Sequence, residues 1–197
     1  MSNKIITVFT AIVCAMLVYA TSSFAHGLDS PTPMANIAGI KDSFSLIDQN
    51  GHAVTEKSWP GKYKLVFFGF TSCPDECPTI LQKLTVALDK LGDKKAGKIQ
   101  TLFITVDPDT DTPAVLKTYL KNFHKSIVGL SGTTKQIEAA EVSYKVFASK
   151  GEKGVDHSAY TYFVAPDGHL LTAFGTDESA ENVVKGINSF IDSATQK

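Results

Sequence analysis

Two cysteines lie four residues apart in the window FGFTSCPDECPTIL, at Cys73 and Cys77. On a helical segment that spacing puts both sulfurs on one face. Two such thiols can chelate one soft metal ion or oxidise to a disulfide, and both outcomes need the same geometry. The spacing is CxxxC, not the CxxC of common dithiol oxidoreductases. Pro74 and Pro78 with a polar insert expose the turn rather than bury it. If Cys77 falls in the first helical turn, the amide dipoles lower its thiol pKa.

Metal binding becomes specific with a third donor. The candidates are His26, His52, His124, His157 and His169. His52 and His169 flank hairpin turns and are expected in solvent. His124 follows a helix end, where an imidazolium is favourable. His157 follows a polar loop and directly precedes an apolar strand, so it can reach a neighbouring turn at the edge of a sheet. Two thiolates and one imidazole suit Cu(I), and also Cu(II) or Zn. Asp107, Asp109 and Asp111 imitate the start of an EF-hand loop. The imitation fails, because Thr112 and Thr118 stand where that loop needs Gly and Glu. The acids are read instead as helix-start capping.

These residues need elements to position them. Ser43 to Asp48 and His52 to Thr55 flank Asn50-Gly51, a hairpin signal. Lys64 to Phe70 reads as a central strand buried on both faces. Leu81, Leu84, Leu88 and Leu91 mark a helix over Pro78 to Leu91, stopped by Gly92. Ile99 to Val106 is a second buried strand. Thr112-Pro113 opens a helix to about Phe123. A short strand near Ile127 to Leu130 precedes a helix over Thr134 to Phe147. Residues 149–156 read as a polar loop. Ala159 to Ala165 and His169 to Phe174 form a hairpin around Pro166-Asp167-Gly168. A last helix over Ser179 to Ser193 turns Val183, Val184, Ile187, Phe190 and Ile191 inward. The cysteines then sit between a strand and a helix, where α/β sheets place their sites. The order predicts an α/β mixed sheet with helices on both faces.

Composition narrows the function. The chain has 197 residues, 43% hydrophobic and 20% charged, which is globular. Its 19 basic residues, all Lys, face 20 acidic ones. That balance speaks against nucleic acid as a partner. The lack of Arg excludes any mechanism needing a guanidinium fork. A peroxiredoxin-like peroxidase fails for the same reason, and also for want of its PxxxTxxC pattern. Residues 1–25 read as a secretory signal peptide, with Lys4, an apolar run from Ile5 to Ala20, and small residues at Ser23 and Ala25. An uncleaved anchor is the alternative. Residues 26–36 read as a linker and 37–197 as one domain.

Cys73-Pro74-Asp75-Glu76-Cys77-Pro78, Val106-Asp107-Pro108 with Asp111-Thr112-Pro113, Gly129-Leu130-Ser131-Gly132-Thr133, Asp156-His157-Ser158 and Pro166-Asp167-Gly168 together resemble the Sco/SenC family. The resemblance runs from about Ile37 to Phe190. It implies a thioredoxin-like fold with an added N-terminal β-hairpin. It also implies a copper metallochaperone, holding one Cu(I) or Cu(II) per chain through Cys73, Cys77 and His157. The implied recipient is the CuA site of cytochrome c oxidase subunit II or another copper-site apoprotein, with other periplasmic copper carriers as further partners. The implied place is the bacterial periplasm, free or tethered to the inner membrane. A thiol-disulfide reductase using Cys73 and Cys77 as its redox pair is the alternative. One departure stands out: the family often has an Arg before Asp-Thr-Pro, where this chain has Asp109-Thr110.

Overall fold

The computed structural model describes residues 39–151, 154–157 and 160–194, with the backbone alone from 148 to 157. The expected signal peptide and linker lie outside the described residues. The elements are β1 (Ser45–Asp48), β2 (Ala53–Thr55), β3 (Tyr63–Gly69), α1 (Glu76–Ala96), β4 (Ile99–Thr105), α2 (Pro113–Tyr119), a 3₁₀ turn (Leu120–Asn122), β5 (Ile127–Ser131), α3 (Thr134–Tyr144), β6 (Ala148–Gly151), β7 (Gly154–His157), β8 (Thr161–Val164), β9 (Leu170–Phe174) and α4 (Ala180–Ala194).

Seven strands form one mixed sheet in the order β2-β1-β5-β4-β3-β8-β9. β3, β4 and β5 run parallel, with Phe67 opposite Phe103 and Phe103 opposite Gly129. The N-terminal hairpin extends this same sheet, because β1 pairs antiparallel with β5 through Ile47 and Ser131. On the other side β8 pairs antiparallel with β3, and Thr161 stands opposite Phe67.

The apolar runs of β3 and β4 need cover on both faces, and successive side chains supply both. Phe67 packs on Phe103, whose ring meets Tyr119 of α2, while Phe163 meets Phe190 of α4. α1 packs against α4 on that face. Phe68 points the other way, onto Tyr144 of α3 and Tyr162. The fold is therefore the expected mixed α/β sheet with helices on both faces.

Several boundaries differ for local reasons. α1 starts two residues early, at Glu76, and so takes in Cys77. Gly92 does break its helical geometry, at φ 70° and ψ 162°, but one more turn follows to Ala96. α3 stops at Tyr144 because Lys145 adopts a left-handed conformation at φ 53°. Its start is fixed by a capping box between Thr133 and Gln136. The largest difference is the expected loop at residues 149–156. It is a two-stranded hairpin, β6 with β7, in register from Ala148 opposite His157 to Gly151 opposite Gly154.

Candidate metal site at the carboxyl edge of the sheet

The carboxyl ends of β3 and β4 carry the chemistry. Beyond Gly69 the chain turns, with the Cys73 amide donating to the Phe70 carbonyl at 3.3 Å. Asp75 sits at the N-cap position of α1 without a side-chain capping bond. A cysteine supplies the capping contact instead: the Cys77 amide donates to the Cys73 sulfur at 3.4 Å. The two cysteines thus meet across the first turn of a helix, where backbone N–H groups favour negative charge on sulfur. Both stand as thiols.

Their environments differ. Cys73 is half-buried and Cys77 is 0% exposed. The prolines therefore expose only the first cysteine of the turn. The close fit depends on Gly69: a Cβ there would lie 2.9 Å from the Cys77 sulfur and 2.8 Å from Phe103 Cε2.

The expected lowering of the Cys77 pKa is overturned. Burial pushes its thiol well above the usual range, and the neighbouring Cys73 and Glu76 push it further. An apolar pocket penalises a bare thiolate more than one helix turn rewards it. A bound cation reverses that balance, since a coordinating thiol is deprotonated outright.

Asp111 is the residue that the sequence reading misplaced. It was expected to serve helix α2, but that helix is capped by Thr112, whose side chain accepts from the Val115 amide. Asp111 is instead 0% exposed and braces the cysteine turn. Its carboxylate accepts from the Thr71 amide at 2.9 Å, from the Thr71 hydroxyl at 2.5 Å and from the Thr105 hydroxyl at 2.7 Å. Thr105 in turn accepts from the Asp107 amide at 3.0 Å. Thr71 precedes Cys73 by two residues, so this clamp ties the turn to the end of β4.

The histidines separate as follows. His52 and His169 are exposed and pair with Asp48 and Asp167, each at 3.2 Å. His124 is half-buried and bonds Ser126 at 2.7 Å. His26 lies outside the described residues. His157 ends β7, four residues before Thr161, which faces Phe67 two residues from the end of β3. An extended chain of four residues spans at most about 14 Å, so the His157 backbone stays near the edge where the cysteine turn begins. Among the described residues no three His, Cys, Asp or Glu side chains gather to hold a metal ion, and the His157 side chain is not one of those described.

Fold and turn together define a thioredoxin-like protein with a dithiol at the start of its first helix. The SCO1/SenC family description matches residues 33–192, and the chain belongs to that family. It is 39% identical over 161 residues to "Protein SCO2, mitochondrial" of Saccharomyces cerevisiae, covering 78% of this chain and 54% of that one. The chain thus spans about half the length of this relative. Among solved structures, Arabidopsis thaliana ScoI with copper bound matches at TM-score 0.74 and 36% identity, over 78% of this chain and 99% of that one. Bradyrhizobium japonicum ScoI with copper bound matches at TM-score 0.71 and 40% identity, over 77% and 99%.

Proposed function

We propose that the protein is a copper metallochaperone that carries one copper ion as cargo on Cys73, Cys77 and His157. The observation that carries this reading is the meeting of the two cysteines at the start of α1, one buried and one half-exposed. Two soft sulfurs with one imidazole suit Cu(I) and accept Cu(II). Burial disfavours the free Cys77 thiolate but not a metal-bound one. The copper-bound relatives, rather than the burial of Cys77, weigh against the alternative, a thiol-disulfide reductase.

Delivery proceeds by ligand exchange. Cys73 faces outward, so incoming sulfurs meet the ion on that side while Cys77 holds it from within. Each sulfur of this chain that lets go takes up a proton, and each incoming thiol gives one up. The recipient that the family resemblance implies is the CuA site of cytochrome c oxidase subunit II, or another copper-site apoprotein. Residues 1–25 would take the protein to the bacterial periplasm, as a cleaved leader or as a tether. Among the described residues no helix is long and apolar enough to cross a membrane.

Chelator competition on the reduced protein tests this reading. One tight Cu(I) equivalent that moves on to an apo CuA domain is the expected result. Weak binding, together with rapid reduction of a disulfide in the CuA domain, would favour the reductase instead.

A further inference from the structure

Tyr119 is the last residue of α2. Its ring is held by Phe103 of β4, with centroids 5.9 Å apart, and by Phe123 at 5.3 Å. These contacts fix the direction of its hydroxyl. The hydroxyl oxygen is shut off from solvent and has no hydrogen-bond partner among the described residues. Folded proteins rarely leave a buried donor unpaired, so such a group calls for an account of what completes it.

The surroundings narrow the choice. The space beside Gly69 is bounded by both the Phe103 ring edge and the Cys77 sulfur. The Tyr119 ring and the Cys77 sulfur therefore share Phe103 as a neighbour. Burial first, and then the charges of Cys77, Cys73 and Asp111, hold the phenol well above its usual range. Cys77, Cys73 and Asp111 therefore lie near enough to this hydroxyl to act on it. The Asp111 carboxylate already takes three bonds from Thr71 and Thr105. A neutral thiol is a weak acceptor, whereas a thiolate is a strong one.

We propose that the Tyr119 hydroxyl is the donor that hydrogen-bonds a Cys73 or Cys77 sulfur once that sulfur becomes a thiolate under a bound copper ion. Tyr119 is a positioning residue and not a ligand. It orients the sulfur, draws charge from it, and gains a partner that the metal-free site does not offer. The same donor sets how firmly copper is held, since hydrogen bonds to ligand atoms tune the metal they bind. Tyr119 also shares with Thr71, Ala114, Val115 and Thr118 the lining of an open groove of about 480 Å³ beside the turn. An arriving partner would enter next to this donor.

The inference rests on the copper reading of the site, and Tyr119→Phe tests it by removing one oxygen and keeping the ring. Three quantities are measured on the full chain. Cu(I) affinity, by chelator competition, is expected to fall at least about tenfold. The sulfur-to-copper charge-transfer band of the Cu(II) form is expected to move to lower energy. The metal-free thermal midpoint is expected to hold or rise, because a buried unpartnered group has gone. Wild-type affinity and band position in the variant would overturn the inference. A loss of affinity matched by a loss of metal-free stability would also overturn it, by assigning Tyr119 to packing alone. If the wild type binds no copper, the copper reading falls and takes the assigned acceptor with it. If the wild type binds tightly and the variant matches it, only the role of Tyr119 falls.

Discussion

β3 carries a buried polar cluster at each end, and the two are built on opposite rules. At its amino end Lys64 Nζ pairs with Asp42 Oδ2 at 2.7 Å, with side chains only 3% and 2% exposed. The Tyr144 hydroxyl donates to the other Asp42 oxygen, and Lys64 also donates to the Glu56 carbonyl at 3.2 Å. Charge meets charge there, so the cluster serves as a fastener for the segment before β1. At the carboxyl end Asp111 is bonded instead by neutral donors, the Thr71 amide and hydroxyl and the Thr105 hydroxyl. Beyond that clamp stand a buried thiol held in its neutral form and a phenol with no partner among the described residues. A cluster that brings its own counter-charge is complete. One built of soft acceptors and a donor without a partner among the described residues suits the cation proposed for it.

The largest expected effect breaks the amino-end cluster. Asp42→Ala leaves Lys64 buried without its counter-charge and removes the Tyr144 acceptor. It should cost about 3–5 kcal/mol in denaturant unfolding, with the Cu(I) affinity of the folded protein unchanged. A loss of copper affinity in the folded variant would show that the two ends are not independent.

Asp111→Ala comes next. It strips three donors of one acceptor and should cost about 2–4 kcal/mol. Unlike Asp42→Ala, it should also weaken copper binding, because Thr71 no longer anchors the turn. Unchanged copper affinity, read by the same competition, would reduce Asp111 to a fastener like Asp42.

The smallest effect concerns Glu141 on α3. Burial, reinforced by Glu138, raises its pKa from 4.5 to about 7. The folded state then holds this proton more tightly than the unfolded chain. Stability should therefore fall as pH rises from about 4.5 to about 7, and Glu141→Gln should flatten that part of the profile. A thermal-midpoint series across this window checks it, and identical profiles for the two proteins would refute it. Copper binding should not follow Glu141, which sets it apart from both ends of β3.

The parts legible in the sequence were the local ones. The apolar runs of β3 and β4, the Asn50-Gly51 turn and the leucine spacing of α1 each declare themselves within one element. Cys73 and Cys77 were legible because residue type and spacing alone bring their sulfurs together. Asp111 was not, because its partner Thr71 lies 40 residues away and only the sheet joins them. The β6–β7 hairpin was hidden because Ser149, Lys150 and Asp156 are poor strand formers, and the Gly151 and Gly154 turn signal lacked an apolar pattern around it. The Cys77 pKa was misjudged because the dipole can be read from helix position, whereas burial can be read only from the folded core. Tyr119 looked like one more core aromatic, and its isolated hydroxyl appears only when Phe103 and Phe123 fix the ring.

The proposed copper site has three donors, two from the turn after β3 and one from the end of β7. The most direct test is Cu(I) affinity of the reduced His157→Ala protein beside the wild type, with the reduction potential of the Cys73–Cys77 pair measured on both. Affinity should drop at least about tenfold, the range expected when a coordinating group is disturbed, while the potential stays the same. Wild-type affinity in His157→Ala would contradict the three-donor site and leave Cys73 and Cys77 as a pair acting alone.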